Sequence, residues 1–351
     1  MEFTNFVDHV KDRIKDFLPE KYANAEIMVY EQIKINSEYT GLLVRSENSE
    51  VNPTVNLNKF YEEYEKGLLM EDVLHSMAKL IQKDGPEVDV NKLREYDSVK
   101  DSLFIRVCNG IENEDYLKKV PHVMIEDIAI TYHVDVARNK EGVASMPITN
   151  DHLERYGISK EQLHKDALVS SPRVNEPEIL NIQELITKIF LEQFEDGPEE
   201  GSMGMFAVPH SEVPMTVVTN KDGMYGAATM FYPDMMDHIG EMMKGNYFIL
   251  PSSTHETIVI PDDGDMDYKK LLSMVTEINA TEVDKEDKLT DQVYHYDVVD
   301  KVFEKASSYE DRIEDRSSDR KSVLQKLAEN KDMVRSVGES KKMPCQEQVS
   351  L

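Results

Sequence analysis

The chain has 351 residues, 40% of them hydrophobic, and carries 68 acidic against 40 basic side chains for a formal net charge of −28. That length buries a sizeable core in one large or two to three smaller units. The charge repels phosphate backbones and anionic lipid headgroups, so direct nucleic-acid binding and membrane attachment are not expected.

From Phe3 to Leu18 apolar residues recur at spacings of three and four, the mark of an amphipathic helix that Pro19 stops. This N-terminus lacks a basic segment followed by an apolar one, and no apolar run approaches the ~20 residues that cross a bilayer, which points to the cytoplasm. Ile27 to Ile35 and Tyr39 to Val44 read as a strand pair turning at Asn36, Ser37 and Glu38. Helical spacing returns over Lys59 to Glu65 and Met70 to Gln82.

Ser102 to Cys108 is a predicted strand whose cysteine reads as core. Cys345 lies far off in a polar segment, and without CxxC spacing a reducing compartment is the simpler inference. In Ile128 to Ala137 apolar residues alternate at period two, which puts His133 and Asp135 on one face of a strand. They are candidate metal ligands only weakly, because a closed site needs three or four ligands and no further spacing completes one. Thr149 and Ser159 read as helix starts, the latter with Gln162 placed for a capping box, and Ile179 to Phe194 as a further helix. Glu195 to Gly204, rich in Gly, Pro and acid, reads as a loop or boundary.

Met215 to Thr219 and Tyr225 to Tyr232 are predicted strands around the turn NKDG, with a helix after Pro233 that Gly245 ends. The order then repeats, with strands Tyr247 to Leu250 and Glu256 to Ile260 before a helix carrying Leu271, Leu272, Val275 and Ile278. The six methionines between Met224 and Met243 fit core packing better than an adaptable groove. Tyr61, Tyr64, Tyr294 and Tyr296 fit half-buried positions better than a stacking platform. The expected class is α+β: antiparallel sheet units with covering helices, and two consecutive ββα units in the C-terminal half. The division runs 1–194, an N-terminal α+β region; 205–300, a ββαββα region; and 301–351, a charged flexible tail with at most a short helix over Ser322 to Met333.

Between two of these strands lies PSSTHE. Ser252, Ser253, His255 and Glu256 have the residue types of a hydrolytic site, but residues two apart on an extended chain sit ~6–7 Å apart and neighbours diverge, so a local proton relay is strained. The segment is no GxSxG elbow and no HExxH helix, and Pro251 with two serines makes a turn the preferred reading. The chain has no phosphate-binding glycine motif and implies no cofactor. Hydroxyls and backbone N–H groups at such a turn are still able to hold an anion.

The stretch TVVTNKDGMYGAATMFYPDMMDHIGEMMKGNYFILPSSTHETIVIPDDG, with NPTVNLNKFYEEYEKG before it, resembles a bacterial family carried as a domain of unknown function in Gram-positive anaerobes. Its landmarks here are TN, GAA, YP and LPSSTHE, and the likeness spans Met1 to about Asp300. The resemblance implies a cytoplasmic bacterial protein of mobile-element character and no activity. The expected role is therefore a protein-interaction or regulatory module with a protein partner of basic character. A hydrolase using PSSTHE, with His210 or His133 brought from elsewhere, and an acidic DNA mimic are the alternatives.

Overall fold

The computed structural model describes residues 1–46, 52–83, 88–139, 142–184 and 215–317. The architecture is α+β, with three antiparallel sheets among the described residues. The first sheet, in the order β1 (Glu26–Lys34), β2 (Ser37–Arg45) and β3 (Thr54–Asn56), packs against helices Phe3–Arg13, Leu57–Glu65 and Met70–Gln82. Phe6, Val10, Leu42, Val73 and Met77 close its core, each completely or almost completely buried. Burying a side chain of this kind contributes ~1.5–3 kcal/mol. The β1–β2 register pairs Lys34 with Ser37, so the turn is Ile35–Asn36, tighter than the three-residue turn expected. Asn36 takes φ 55° there, a conformation its short polar side chain tolerates.

In the second sheet the long β6 (Ile128–Asn139) pairs with β4 (Leu103–Asn109) on one side, and with β5 (His122–Ile125) and β7 (Gly142–Pro147) along the other. One face, with Leu103, Ile105, Val107, Ile128, Ile130, Tyr132 and Val134, packs into the largest core, which it shares with the third sheet. The opposite face carries Phe104, Arg106 and Cys108 beside Ala129, Thr131 and His133. Cys108 is core as expected, and burial pushes its thiol up to about 12.

The third sheet has six strands in the order β13 (Val302–Lys305), β12 (Tyr294–Asp297), β10 (Tyr247–Leu250), β11 (Thr257–Pro261), β9 (Thr216–Asn220), β8 (Pro177–Asn181). Helix Tyr268–Thr281 covers its outer face through Leu271 and Val275. The expected helix starts hold: Thr149 closes a capping box with His152, and the Ser159 hydroxyl accepts the Gln162 N–H, although the Gln162 amide turns to Asp166 instead of back to Ser159.

Three further expectations need correction. Tyr225 to Tyr232 is no strand: Gly226–Phe231 coils as a 3-10 helix, so the first of the two ββα units does not exist. Both edges of β9 are already taken by β11 and β8, which leaves no place for that strand to pair. Ile179 to Asn181 belongs to edge strand β8, and the helix begins at 182, where the Asn181 side chain accepts the Glu184 N–H at 2.8 Å. Tyr294 and Tyr296 are buried, not half-buried.

The charged segment after Lys301 adds β13 and a helix over 306–317 to the fold. Arg312 on that helix reaches Glu304 at 2.6 Å and Asp297 at 2.9 Å, and Tyr309 stacks on His295 at 3.5 Å between centroids. Alternating signs that look solvated in sequence are matched here by tertiary ion pairs. Ser322 to Met333, residues 185–214 and the rest of the expected tail lie outside the described residues. Among the described residues no helix is long and apolar enough to cross a membrane.

Candidate functional site

The β1–β2 hairpin leans over the second face of the β4–β6–β7 sheet. Asn36 at its tip accepts the Asn113 amide at 2.7 Å and donates to the Lys288 carbonyl at 2.6 Å. Between hairpin and sheet lies a cavity of about 680 Å³, within the range that holds small-molecule ligands. Arg106 and His133 form its floor, Ile33, Ile35 and Tyr39 its roof, and Tyr225 one wall.

Arg106 is the unusual member. It sits in the middle of a strand whose neighbours are buried, and among the described residues it has no carboxylate partner and its Nε has no hydrogen-bond partner. Burial lowers its affinity for the proton, and Tyr225 opposes that shift. The guanidinium lies 3.4 Å from the centroid of the Tyr225 ring, a cation–π stack. Arg106 is half-buried with its Nε shielded from solvent, and a partly desolvated cation without a counter-charge is costly and is retained where something else supplies the anion.

Tyr225 is held for this purpose. It adopts φ 58°, a strained conformation for a bulky side chain. Its N–H donates to His255 Nδ1 at 3.2 Å, and the His255 ring stacks on it at 5.6 Å. His255 Nε2 faces Asp287 Oδ1 at 3.0 Å, so the ring is fixed from both sides. The order of rings is therefore His255, Tyr225, Arg106.

PSSTHE thus enters the site as a brace. The Ser253 oxygen accepts the His255 backbone N–H at 3.0 Å and its hydroxyl engages Glu256, whose carboxyl burial pushes up. Neither ring nitrogen of His255 is bonded to Ser253. The Ser252 carbonyl accepts from Leu289, and Thr254 N–H donates to the Asp287 carbonyl at 2.7 Å, knitting the segment to 287–289. Ser253→Ala is expected to lower stability by about 1 kcal/mol, and a serine-directed fluorophosphonate should label neither form. Labelling of the wild type at Ser253 would contradict this geometry.

His133 and Asp135 do not converge. The register is continuous from His133 to Asp135, so the two share a strand face as expected, but the Asp135 carboxylate pairs with Arg138 at 3.0 Å. His133 Nε2 meets the Thr131 hydroxyl at 3.2 Å, while Nδ1 has no partner among the described residues. No group of three or more His, Cys, Asp or Glu side chains there is placed to hold a metal, and His210 lies outside them. Sequence reasoning missed Arg106 and Tyr225. The signal for Arg106 was present: in LFIRVC it is the one charge inside a strand apolar on both faces.

Burial holds His133 well below the ordinary histidine value, with Arg106 adding to the effect, and burial also lowers His152 and His164. Since the unfolded chain takes up these protons near pH ~6.5 and the folded chain does not, stability present above that pH is lost as pH falls through it. His133 contributes up to about 1.4 kcal/mol per pH unit. Urea midpoints measured between pH 7.5 and 5.5 should fall, and His133→Phe should flatten the decline.

Fold and site together define an acidic α+β protein built around an arginine-floored cavity. The chain belongs to DUF5688, a family of unknown function, whose model matches residues 3–298. No curated protein and no solved structure matches it. The expectation of a domain of unknown function is met at that level, and β13 with the helix over 306–317 falls beyond the matched span.

Proposed function

We propose that this chain is a regulatory binding module that takes a small anion into the cavity between the β1–β2 hairpin and the β4–β6–β7 sheet. The observation that carries the reading is Arg106, half-buried on the sheet, stacked on Tyr225 and without a carboxylate partner among the described residues. The strained Tyr225 and its brace of His255 and Asp287 preorganise the cation, which is what a binding site requires. Catalysis is not part of the reading, because His255 is held by the Tyr225 N–H and by Asp287, and Ser253 by the His255 N–H and Glu256. The formal charge of −28 suits the outer surface to a basic protein partner in a bacterial cytoplasm, with the ligand setting the hairpin's hold on the sheet.

Thermal melting of the full chain with pooled organic anions, and separately with pooled amines, tests the proposal. Anions should raise the melting temperature of the wild type and leave Arg106→Gln unmoved; amines should act on neither. A rise with amines alone, or anion shifts that persist in Arg106→Gln, would rule this cavity out.

A further inference from the structure

The floor of the cavity carries more information than its charge, and the inference here rests on the anion-binding reading above. We infer that the ligand is a monoanionic carboxylate that bears an O–H or N–H donor close to the carboxylate and an apolar group beyond it. Three features of the site specify these three parts.

The first is the number of charges. The charged groups lining the cavity besides Arg106 are Lys34, Lys59, Glu286 and Asp287. Lys59 pairs with Glu286 at 2.9 Å, and Asp287 is engaged by His255. Lys34 lies over the Tyr39 ring at 5.4 Å, on the hairpin that forms the roof. The floor therefore offers one uncompensated cation. A planar guanidinium whose shielded Nε has no hydrogen-bond partner among the described residues matches a carboxylate in charge and shape. A phosphate dianion would bring a second negative charge with no second cation on the floor to meet it.

The second is the state of His133. The Thr131 hydroxyl donates to the Arg106 carbonyl at 3.4 Å, so towards His133 it acts as acceptor and Nε2 carries the proton. Nδ1 is then a bare lone pair, on a ring 2% exposed and kept neutral by burial. A buried acceptor without a donor is unfavourable by itself and selects a ligand that supplies one. Arg106 stands opposite Thr131 and His133 opposite Phe104, so Arg106 and His133 are diagonal neighbours on the same sheet face. Their side chains approach within reach of one compact ligand.

The third is the roof. Ile33, Ile35 and the Tyr39 ring offer apolar surface facing a polar floor, and the volume of about 680 Å³ exceeds what a carboxylate and one donor fill. A ligand spanning floor to roof is amphipathic, with its acid end inward. Hydroxy acids and N-acylated amino acids with a hydrophobic side chain have this form.

A matched series isolates each part: 2-hydroxy-3-phenylpropanoate, 3-phenylpropanoate without the hydroxyl, phenyl phosphate, and 3-phenylpropane-1,2-diol without the acid, each titrated calorimetrically into the full chain. The hydroxy acid should bind best, the deoxy acid about tenfold more weakly, and the diol not detectably. Arg106→Gln should weaken both acids about a hundredfold. His133→Phe, its fold checked by its melting curve, should bind the two acids equally and retain the deoxy acid. Equal binding of the two acids to the wild type overturns the donor assignment, and preference for phenyl phosphate overturns the carboxylate assignment; either leaves the anion cavity standing. If no anion of the series binds, the ligand assignment and the cavity reading both fall.

Discussion

Arg106→Met is expected to stabilise the unliganded protein by about 1–2 kcal/mol while it abolishes anion binding. The methionine fills a similar volume with flexible apolar atoms and removes a cation that has no carboxylate among the described residues. The expected 1–2 kcal/mol is net of the lost stack on Tyr225, itself ~0.5–2 kcal/mol. Urea unfolding of wild type and variant measures the difference directly. A variant destabilised by more than 1 kcal/mol would mean that the guanidinium holds the fold together and is not waiting for a ligand. A gain in stability with a loss of binding is the signature of a residue kept for its site.

Gly226→Ala should have the largest effect in the opposite direction. A Cβ there would lie 2.3 Å from the Thr219 hydroxyl, 2.4 Å from the His255 carbonyl and 2.7 Å from the Asn220 nitrogen. Two of those three are backbone atoms fixed by the third sheet and by the PSSTHE segment, so relief requires the whole 225–231 segment to move. We expect a loss of about 3 kcal/mol. Because Tyr225 adjoins the glycine, the stack under Arg106 should be lost too, and anion affinity with it. Gly223→Ala is the control: φ is +64° but nothing stands within 4 Å, so its cost should be limited to about 1–2 kcal/mol of backbone strain with binding intact. Comparable losses from the two substitutions would argue against close packing as the reason for Gly226.

Periodicity revealed the elements that are amphipathic on their own. Met70–Gln82 buries Val73, Met77 and Ile81 of the face that its spacing marks, while Leu69 and Leu80 of that face are exposed, and β6 shows its alternation. Tyr225 to Tyr232 misleads because GAATMFY has one polar side chain, Thr229, and that is buried like its neighbours. A run with no polar face has no period, and its conformation is decided by Gly226 packing on β9 and by the absence of a free edge there. The turn reading of PSSTHE agrees with the structure since its reason was local geometry. What it braces was not legible, because Asp287 and Tyr225 meet His255 from sites about 30 residues away on either side. Arg106 was overlooked for a related reason. Its neighbours in LFIRVC announce a strand, while the lack of a counter-ion is a property of several segments at once.

The hairpin latch sets an order of assembly. Asn36 is held by the Lys288 carbonyl, a partner 252 residues further along the chain. Strand pairings within the first sheet close over short loops, whereas this contact waits on one of the longest closures in the molecule. During synthesis the N-terminal unit emerges and can pack before residue 288 leaves the ribosome. The hold of residue 288 on the roof is therefore added after that of Asn113, and a chain halted before that point would keep the hairpin tip by Asn113 alone.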